Sequence, residues 1–310
     1  MIQTMRKTKN FYMKNIEIFN ASLNDTSENR YRLWDEYRAD VDSFLAPIIK
    51  ITEKELIIVV GAGRCEDFSL ELLVDNYKKI VLTDIDLSSV SDAINRCNFT
   101  KKKRDKISIE RIEYTGFEKN HFFDGFEKAV LTCKSQSSLE KLINGRLIGL
   151  DKYKFLRKYD EMASLVLVTP IYTQLVYQQI LILCSRIRSN GYPEHLINFI
   201  ESYMQEKLVE IIKRFNQNIV RVTKEYLVVL SDIFQDRSDS EFMRNTKKII
   251  DNKEAMDKLY KEYQSDYGFG MGDAGLFLLN DLINEVEREW LIWPFSSSID
   301  MVVELAIYKK

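Results

Sequence analysis

Two glycines and two carboxylates carry the clearest chemistry in this chain. Gly61-Ala62-Gly63 follows the apolar run Leu56-Ile57-Ile58-Val59-Val60, and a second apolar run from Lys79 ends in Thr83-Asp84-Ile85-Asp86. Glycine lets the backbone turn sharply and pass close to a ligand, and a helix that follows offers free N–H groups at its start. A carboxylate at the end of the next strand can accept from both hydroxyls of a ribose. Together these groups predict a site for a nucleoside-containing cofactor. A dinucleotide fingerprint places a third glycine three residues beyond the second, for close helix–strand packing. Here Arg64-Cys65-Glu66 puts a bulky charged residue in that place, which argues against NAD or FAD. No Gly-x-x-x-x-Gly-Lys-Ser/Thr is present to cradle a triphosphate.

These residues require a particular set of elements around them. Leu56–Val60 is too short for a buried helix and rich in β-branched residues, so it reads as a buried parallel strand. A helix-compatible stretch, 66–77, separates it from the second strand. Residues 87–98 suit another helix, with Asp86 or Ser88 near its N-cap. The third strand is 107–113, alternating as a partly exposed strand does and ending at Tyr114-Thr115-Gly116. Residues 117–159 exceed what a simple crossover needs and have a helical pattern, which suggests an insertion. The fourth strand, 164–169, leads into Pro170-Ile171-Tyr172-Thr173-Gln174, at the sheet edge where ligands bind in open α/β folds. Two long helices, 175–188 and 194–215, are split by Asn190-Gly191-Tyr192-Pro193. A fifth strand, 225–231, has Asp232 at its end; residues 240–265 read as one charged helix, and a glycine-dense loop at 267–275 precedes a helix predicted over 276–289. The last two strands, 290–295 and 301–308, are joined too briefly for a parallel crossover and must be antiparallel. Ahead of the sheet, residues 1–28 read as a loose arm. Residues 31–45 read as an amphipathic helix, and Pro47 should end it or begin a short next turn.

The stretch Val59-Val60-Gly61-Ala62-Gly63 with Thr83-Asp84-Ile85-Asp86 resembles the class I S-adenosylmethionine-dependent methyltransferases. The resemblance implies an α/β, Rossmann-like sheet of seven strands, mostly parallel with the last antiparallel. It also implies a helical N-terminal lid over 1–50 and a domain over 51–310 with insertions near 117–160 and 190–220. It assigns S-adenosyl-L-methionine as cofactor, with Gly61, Ala62 and Gly63 against its amino-acid end and Asp84 on its ribose. Asp86 is a second candidate for the ribose and alternatively a helix cap. Glu113, with Tyr114 beside it, takes the place that recognises adenine, and Thr169 borders the cofactor from the fourth strand. Thr169-Pro170-Ile171-Tyr172 partly matches the Asn/Asp-Pro-Pro-Tyr of amino-methyltransferases. In that family, helices ahead of the first strand often build part of the substrate pocket. Trp34, Tyr37 and Arg38 are therefore substrate-binding candidates, joined by Tyr172, Gln174 and Tyr177; packing between helices is the competing role for the tyrosines. The expected reaction is methyl transfer to a small molecule or peptide, with aminoalkyl transfer or a non-catalytic binding role as alternatives.

No catalytic residue stands out, which fits a displacement that positioning and water exclusion can accelerate. The two histidines, His121 and His195, read as structural or surface residues. A formal net charge of -2 without a basic half gives no electrostatic support for nucleic-acid binding. Four scattered cysteines and two histidines predict neither a disulfide framework nor a metal site, and a reducing cytoplasm fits. No apolar stretch is long enough to span a membrane. A monomer or homodimer is expected.

Overall fold

The computed structural model describes residues 30–310 except Val176 and Phe269, with Tyr177 and Gln178 described in backbone only. The predicted arm at 1–28 therefore lies outside the described residues. Five parallel strands form first: β1 (Leu56–Val60), β2 (Lys79–Asp84), β3 (Ile107–Arg111), β4 (Ala163–Val168) and β5 (Thr223–Arg237). β6 (Asn284–Trp293) and β7 (Ile299–Lys309) complete a seven-stranded sheet in the order β3-β2-β1-β4-β5-β7-β6. β7 runs antiparallel to both β5 and β6. This is the sheet the resemblance implies, with its antiparallel pair where the short Ser296-Ser297-Ser298 connection demands it.

Strand residues alternate faces, and the sheet is covered on both. Ile57, Val59, Leu82, Leu165 and Val228 face a core closed by α1 (Asp35–Ile51), α2 (Leu70–Asn76) and α3 (Leu87–Arg96). Ile58, Val60, Val81, Val166 and Val229 face the other core. That layer contains α4 (Phe126–Thr132), α5 (Gln136–Leu147), α6 (Tyr177–Ser189) and the long α7 (Glu194–Val222). It also takes in α8 (Glu241–Ile249), α9 (Lys253–Tyr267) and α10 (Met271–Asn280). Among the described residues, no helix is long and apolar enough to cross a membrane.

Several local expectations need correction. α1 continues through Pro47 to Ile51, because Ile48 and Ile49 beyond the proline are buried in the core. Each side chain so placed is worth roughly 1.5–3 kcal/mol, enough to offset a lost helix hydrogen bond. The charged stretch at 240–265 is two helices, α8 and α9, the second started by Asn252, whose side chain accepts from the Ala255 N–H. Residues 267–275 are a helix junction rather than a loop. Gly268, at φ 78°, ends α9, and α10 begins at Met271. Gly272 and Gly275 sit inside α10 because it packs against backbone and ring: a Cβ at Gly272 would meet the Asp232 carbonyl oxygen at 2.2 Å, and one at Gly275 the Tyr172 ring at 2.6 Å. The helix predicted over 276–289 stops at Asn280, since Asn284–Trp293 alternates as a charged edge strand with Glu287 exposed. Charge on an edge discourages pairing with other chains.

Candidate active site

A cavity of about 570 Å³ opens over the carboxyl ends of the strands. Its walls include Gly61, Gly63, Asp84, Glu113, Tyr114 and Thr169 at one end, and Asp232, Phe234, Tyr263, Trp293 and Phe295 at the other. Trp34, Asp67, Ile171 and Gln174 also line it. The volume is that of a small-molecule site.

The first end is built by the chain's own hydrogen bonds. Gly61 and Gly63 have φ of 76° and 47°, the left-handed region that favours glycine. A Cβ at Gly61 would also meet Thr169 Oγ1 at 2.8 Å. Cys65 adopts φ 50° as well, although it is not glycine. Asp84 fixes the turn, since its Oδ2 accepts from the Gly63 N–H at 2.8 Å and its Oδ1 from the Asp86 N–H at 2.8 Å. A carboxylate has about four acceptor positions, and the Ile85 N–H also reaches it, so at least one remains for a ligand. Burial raises the Asp84 pKa, and the N–H donors of Asp86 and Gly63 pull it back. Tyr114 reaches beneath the turn. Thr83 Oγ1 gives its proton to the Val59 carbonyl at 2.7 Å, so the Tyr114 hydroxyl donates to Thr83 at 2.8 Å. The same hydroxyl accepts from the Gly61 N–H at 2.9 Å. Thr169 Oγ1 donates to the Gly61 carbonyl at 2.5 Å, bracing the turn from β4.

Asp86 lies outside the cavity lining. It is the N-cap of α3, accepting from the Ser88 and Ser89 N–H groups at 3.1 and 3.2 Å. Ala62 is buried, with its N–H on the Thr83 carbonyl at 2.9 Å. Glu113 lines the cavity, yet its oxygens hold its own loop: they accept from the Thr115 N–H at 2.8 Å, from the Thr115 hydroxyl and from the Glu118 N–H at 3.2 Å.

Of the substrate candidates, Trp34 and Gln174 line the cavity. Gln174 Nε2 donates to the Pro170 carbonyl at 3.0 Å, holding the turn after β4. Arg38 does not line it. Its guanidinium donates to the Glu66 and Tyr31 carbonyls at 3.1 and 2.8 Å, pairs with Asp35 and covers the Tyr31 ring. It therefore ties α1 to the loop after the glycine turn. Tyr37 and Tyr172 are core residues. Tyr37 stacks on Trp293 at 5.7 Å, and Tyr172 donates to Asn216 Oδ1 on α7 at 2.8 Å. The side chain of Tyr177, and Phe269 of the glycine-dense stretch, lie outside the described residues.

At the second end Trp34 was a sequence candidate, and its other residues were not. Trp34, Trp293 and Phe295 form an aromatic wall, with Trp34 edge-on to Trp293 at 4.8 Å and Phe295 edge-on to Trp293 at 5.1 Å. Two carboxylates accompany it. Burial, then the Glu66 charge, raises the Asp67 pKa to about 7, with Arg38 opposing. Burial raises that of Asp232 to about 6, against its own backbone N–H and the Thr173 hydroxyl. Among the described residues, Asp67 Oδ1, the indole N–H groups of Trp34 and Trp293, and the Tyr37 hydroxyl have no hydrogen-bond partner. The available signals were the acid after the fifth strand and the density of aromatics in Trp290-Leu291-Ile292-Trp293-Pro294-Phe295.

No protein-family model matches this chain, and no curated protein does. Solved structures similar to it include a SAM-dependent methyltransferase from Methanosarcina mazei, at 12% identity and TM-score 0.43, covering 85% of this chain and 96% of that one. Another is magnesium protoporphyrin IX methyltransferase from Synechocystis PCC 6803 with bound SAH, at 10% identity and TM-score 0.41, covering 93% and 98%. A SAM-dependent methyltransferase from Aquifex aeolicus matches at 12% identity and TM-score 0.38, covering 89% and 96%. Strand order, the antiparallel β7 and the glycine turn beside Asp84 define the architecture independently of these matches: the chain has the class I S-adenosylmethionine-dependent methyltransferase fold.

Proposed function

We propose that this protein binds S-adenosyl-L-methionine and transfers its methyl group to a small molecule held in the same cavity. The observation that carries the reading is the cavity's continuity. It begins at the Gly63–Asp84 pair, passes Thr169 and Gln174, and ends at a separate aromatic enclosure with its own acids. A site for one nucleoside alone would have no use for the second end. The donor set suits the cofactor: Asp84 keeps acceptor capacity for a ribose hydroxyl, and the glycine turn leaves its surface without a Cβ at Gly61 and Gly63. When bound, S-adenosylmethionine supplies a methyl group activated on a sulfonium. Asp84 would hold the ribose, Tyr114 and Thr169 would keep the turn rigid, and Trp34 with Trp293 would exclude water. Exclusion and alignment are sufficient for such a displacement.

Titration with S-adenosylhomocysteine should give saturable binding and raise the melting temperature, because a ligand of the folded state stabilises it. NADH should do neither. Mass spectrometry of a turnover reaction should find S-adenosylhomocysteine as product rather than methylthioadenosine, the product of aminoalkyl transfer. A thermal shift with NADH and none with S-adenosylhomocysteine would overturn the reading.

A further inference from the structure

The single helical turn Arg30–Leu33, ahead of α1, contributes no buried side chain to either core. It nevertheless reaches the cavity: Arg30 lines it, with its guanidinium over the Trp34 and Phe295 rings at 5.9 and 5.5 Å. Trp34 separates this turn from α1, with φ -95° and ψ 14°, and is itself anchored edge-on against Trp293. A short segment without a buried side chain, next to an anchored non-helical residue, has the low local stability of an element that opens.

Tyr31 fastens this turn to the body. Its ring centroid lies 3.8 Å from the Arg38 guanidinium carbon and 3.9 Å from that of Arg96. Two guanidinium groups cannot share one face of a ring at that distance, so the ring is held between α1 and the end of α3. Arg38 also donates to the Tyr31 carbonyl at 2.8 Å. Both arginines are fixed from behind by the loop after the glycine turn. Arg38 donates to the Glu66 carbonyl at 3.1 Å, and Arg96 to the Arg64 and Cys65 carbonyls at 2.8 and 3.2 Å. Arg96 also pairs with the Glu66 carboxylate at 3.5 Å. That loop gives Arg64, Glu66 and Asp67 to the cavity wall. The turn thus spans the two ends, with Arg30 at the aromatic wall and Tyr31 clamped to the loop of the nucleoside end. Each guanidinium is attracted to one face of the ring, so removing the ring loses two contacts at once.

We infer that Arg30–Leu33 is a strap over the cavity, latched shut by Tyr31 between Arg38 and Arg96, and that its release sets how fast the cofactor and its product exchange. The exchange step rests on the proposed function; the latch itself concerns only residues of this chain. Tyr31 does not line the cavity, so the latch has no ligand contact of its own to lose. A gate of this kind slows entry and exit by one common factor and leaves affinity unchanged, because ligand without preference for either state shifts neither. Two cation–π contacts of partly exposed groups correspond to about tenfold in the opening equilibrium, about 1.4 kcal/mol.

Tyr31→Leu removes the ring and keeps an apolar side chain, whereas Tyr31→Phe keeps the ring. In stopped-flow measurements with S-adenosylhomocysteine, Tyr31→Leu should raise the association and dissociation rates together by about tenfold. Its affinity should stay within a factor of two of wild type, and Tyr31→Phe should match wild type in both rates. A second readout needs no cofactor. The Trp34 N–H donates to the Arg30 carbonyl at 2.9 Å, a bond that opening of the strap must break. Its hydrogen exchange should quicken about tenfold in Tyr31→Leu and keep the wild-type rate in Tyr31→Phe. Unchanged exchange at Trp34 in Tyr31→Leu overturns the latch. Faster dissociation at an unchanged association rate overturns the gate, because Tyr31 would then shape the bound state alone. If S-adenosylhomocysteine does not bind the wild type, the proposed function fails, and hydrogen exchange at Trp34 still decides the latch.

Discussion

The two ends of one cavity are built on opposite plans. At the nucleoside end, the chain answers its own polar groups: Asp84 takes the Gly63 and Asp86 N–H groups, Tyr114 links Gly61 to Thr83, and Thr169 closes on the Gly61 carbonyl. At the aromatic end, Asp67 Oδ1, two indole N–H groups and the Tyr37 hydroxyl go unanswered among the described residues. Each buried group left unpaired costs about 1–3 kcal/mol. The first end is therefore rigid and ready at no further cost. The second end carries desolvated polar atoms that the described residues do not answer. Breaking this contrast calls for substitutions that act at one end only.

The largest effect is expected at the unanswered end. Asp67 is held at a pKa of about 7 by burial first and the Glu66 charge second. The unfolded chain would ionise it near 3.9. Between these values the native state binds more proton than the unfolded state, so stability must fall as pH rises from about 4 to about 7. A rise of that size converts to at most about 4 kcal/mol, and relaxation around a partly exposed group reduces it to roughly 2–3 kcal/mol. Asp67→Asn removes the charge. Denaturant unfolding should find the variant more stable than wild type by that amount at pH 8, with the gap closing by pH 4. A variant no more stable at pH 8 would mean that Asp67 is already compensated, and the contrast between the two ends would vanish.

The glycine turn beside Asp84 was legible in the sequence because its determinants are local. A glycine turn after a β-branched run and acids at the next strand end are separated by one helix, and their geometry follows from that spacing. The antiparallel last pair was legible for the same reason, since three serines cannot span a crossover. The aromatic end is assembled from α1, the loop after β1, β5 and β6, whose residues are far apart in sequence. No spacing rule connects Trp34 with Trp293 or Asp67 with Asp232. The glycine-dense stretch misled because density was read as a loop. Gly272 and Gly275 meet an interior demand, the approach of α10 to the Asp232 carbonyl and the Tyr172 ring.

A sharper test of the nucleoside end separates its two aspartates. Asp84→Ala should weaken S-adenosylhomocysteine by roughly 10- to 100-fold, about 1.5–3 kcal/mol for a charge-assisted hydrogen bond. Asp86→Ala removes the N-cap of α3 and should cost about 1 kcal/mol of stability, with cofactor affinity within a factor of two of wild type. Calorimetric titration and denaturant unfolding of both variants would decide it. A large affinity loss for Asp86→Ala with none for Asp84→Ala would exchange their roles.

The smallest expected effect marks where the cavity stops. Tyr172 follows Thr169-Pro170-Ile171, in the position where a stacking contact with an acceptor would be sought, yet its ring packs against α10 at Gly275 and edge-on to Phe215 at 5.6 Å. Its hydroxyl donates to Asn216 Oδ1, and Asn216 in turn donates to the Gly275 carbonyl at 2.8 Å. The pair ties the turn after β4 to α7 and α10, behind the wall rather than on it. Tyr172→Phe leaves the fully buried Asn216 oxygen without its donor, which should cost about 1–2 kcal/mol of stability. Because the hydroxyl faces neither end, affinity for S-adenosylhomocysteine should stay within a factor of two. A tenfold loss of that affinity at unchanged stability would move Tyr172 from the scaffold onto the cavity wall. The boundary between the two ends would then have to be redrawn along the turn after β4.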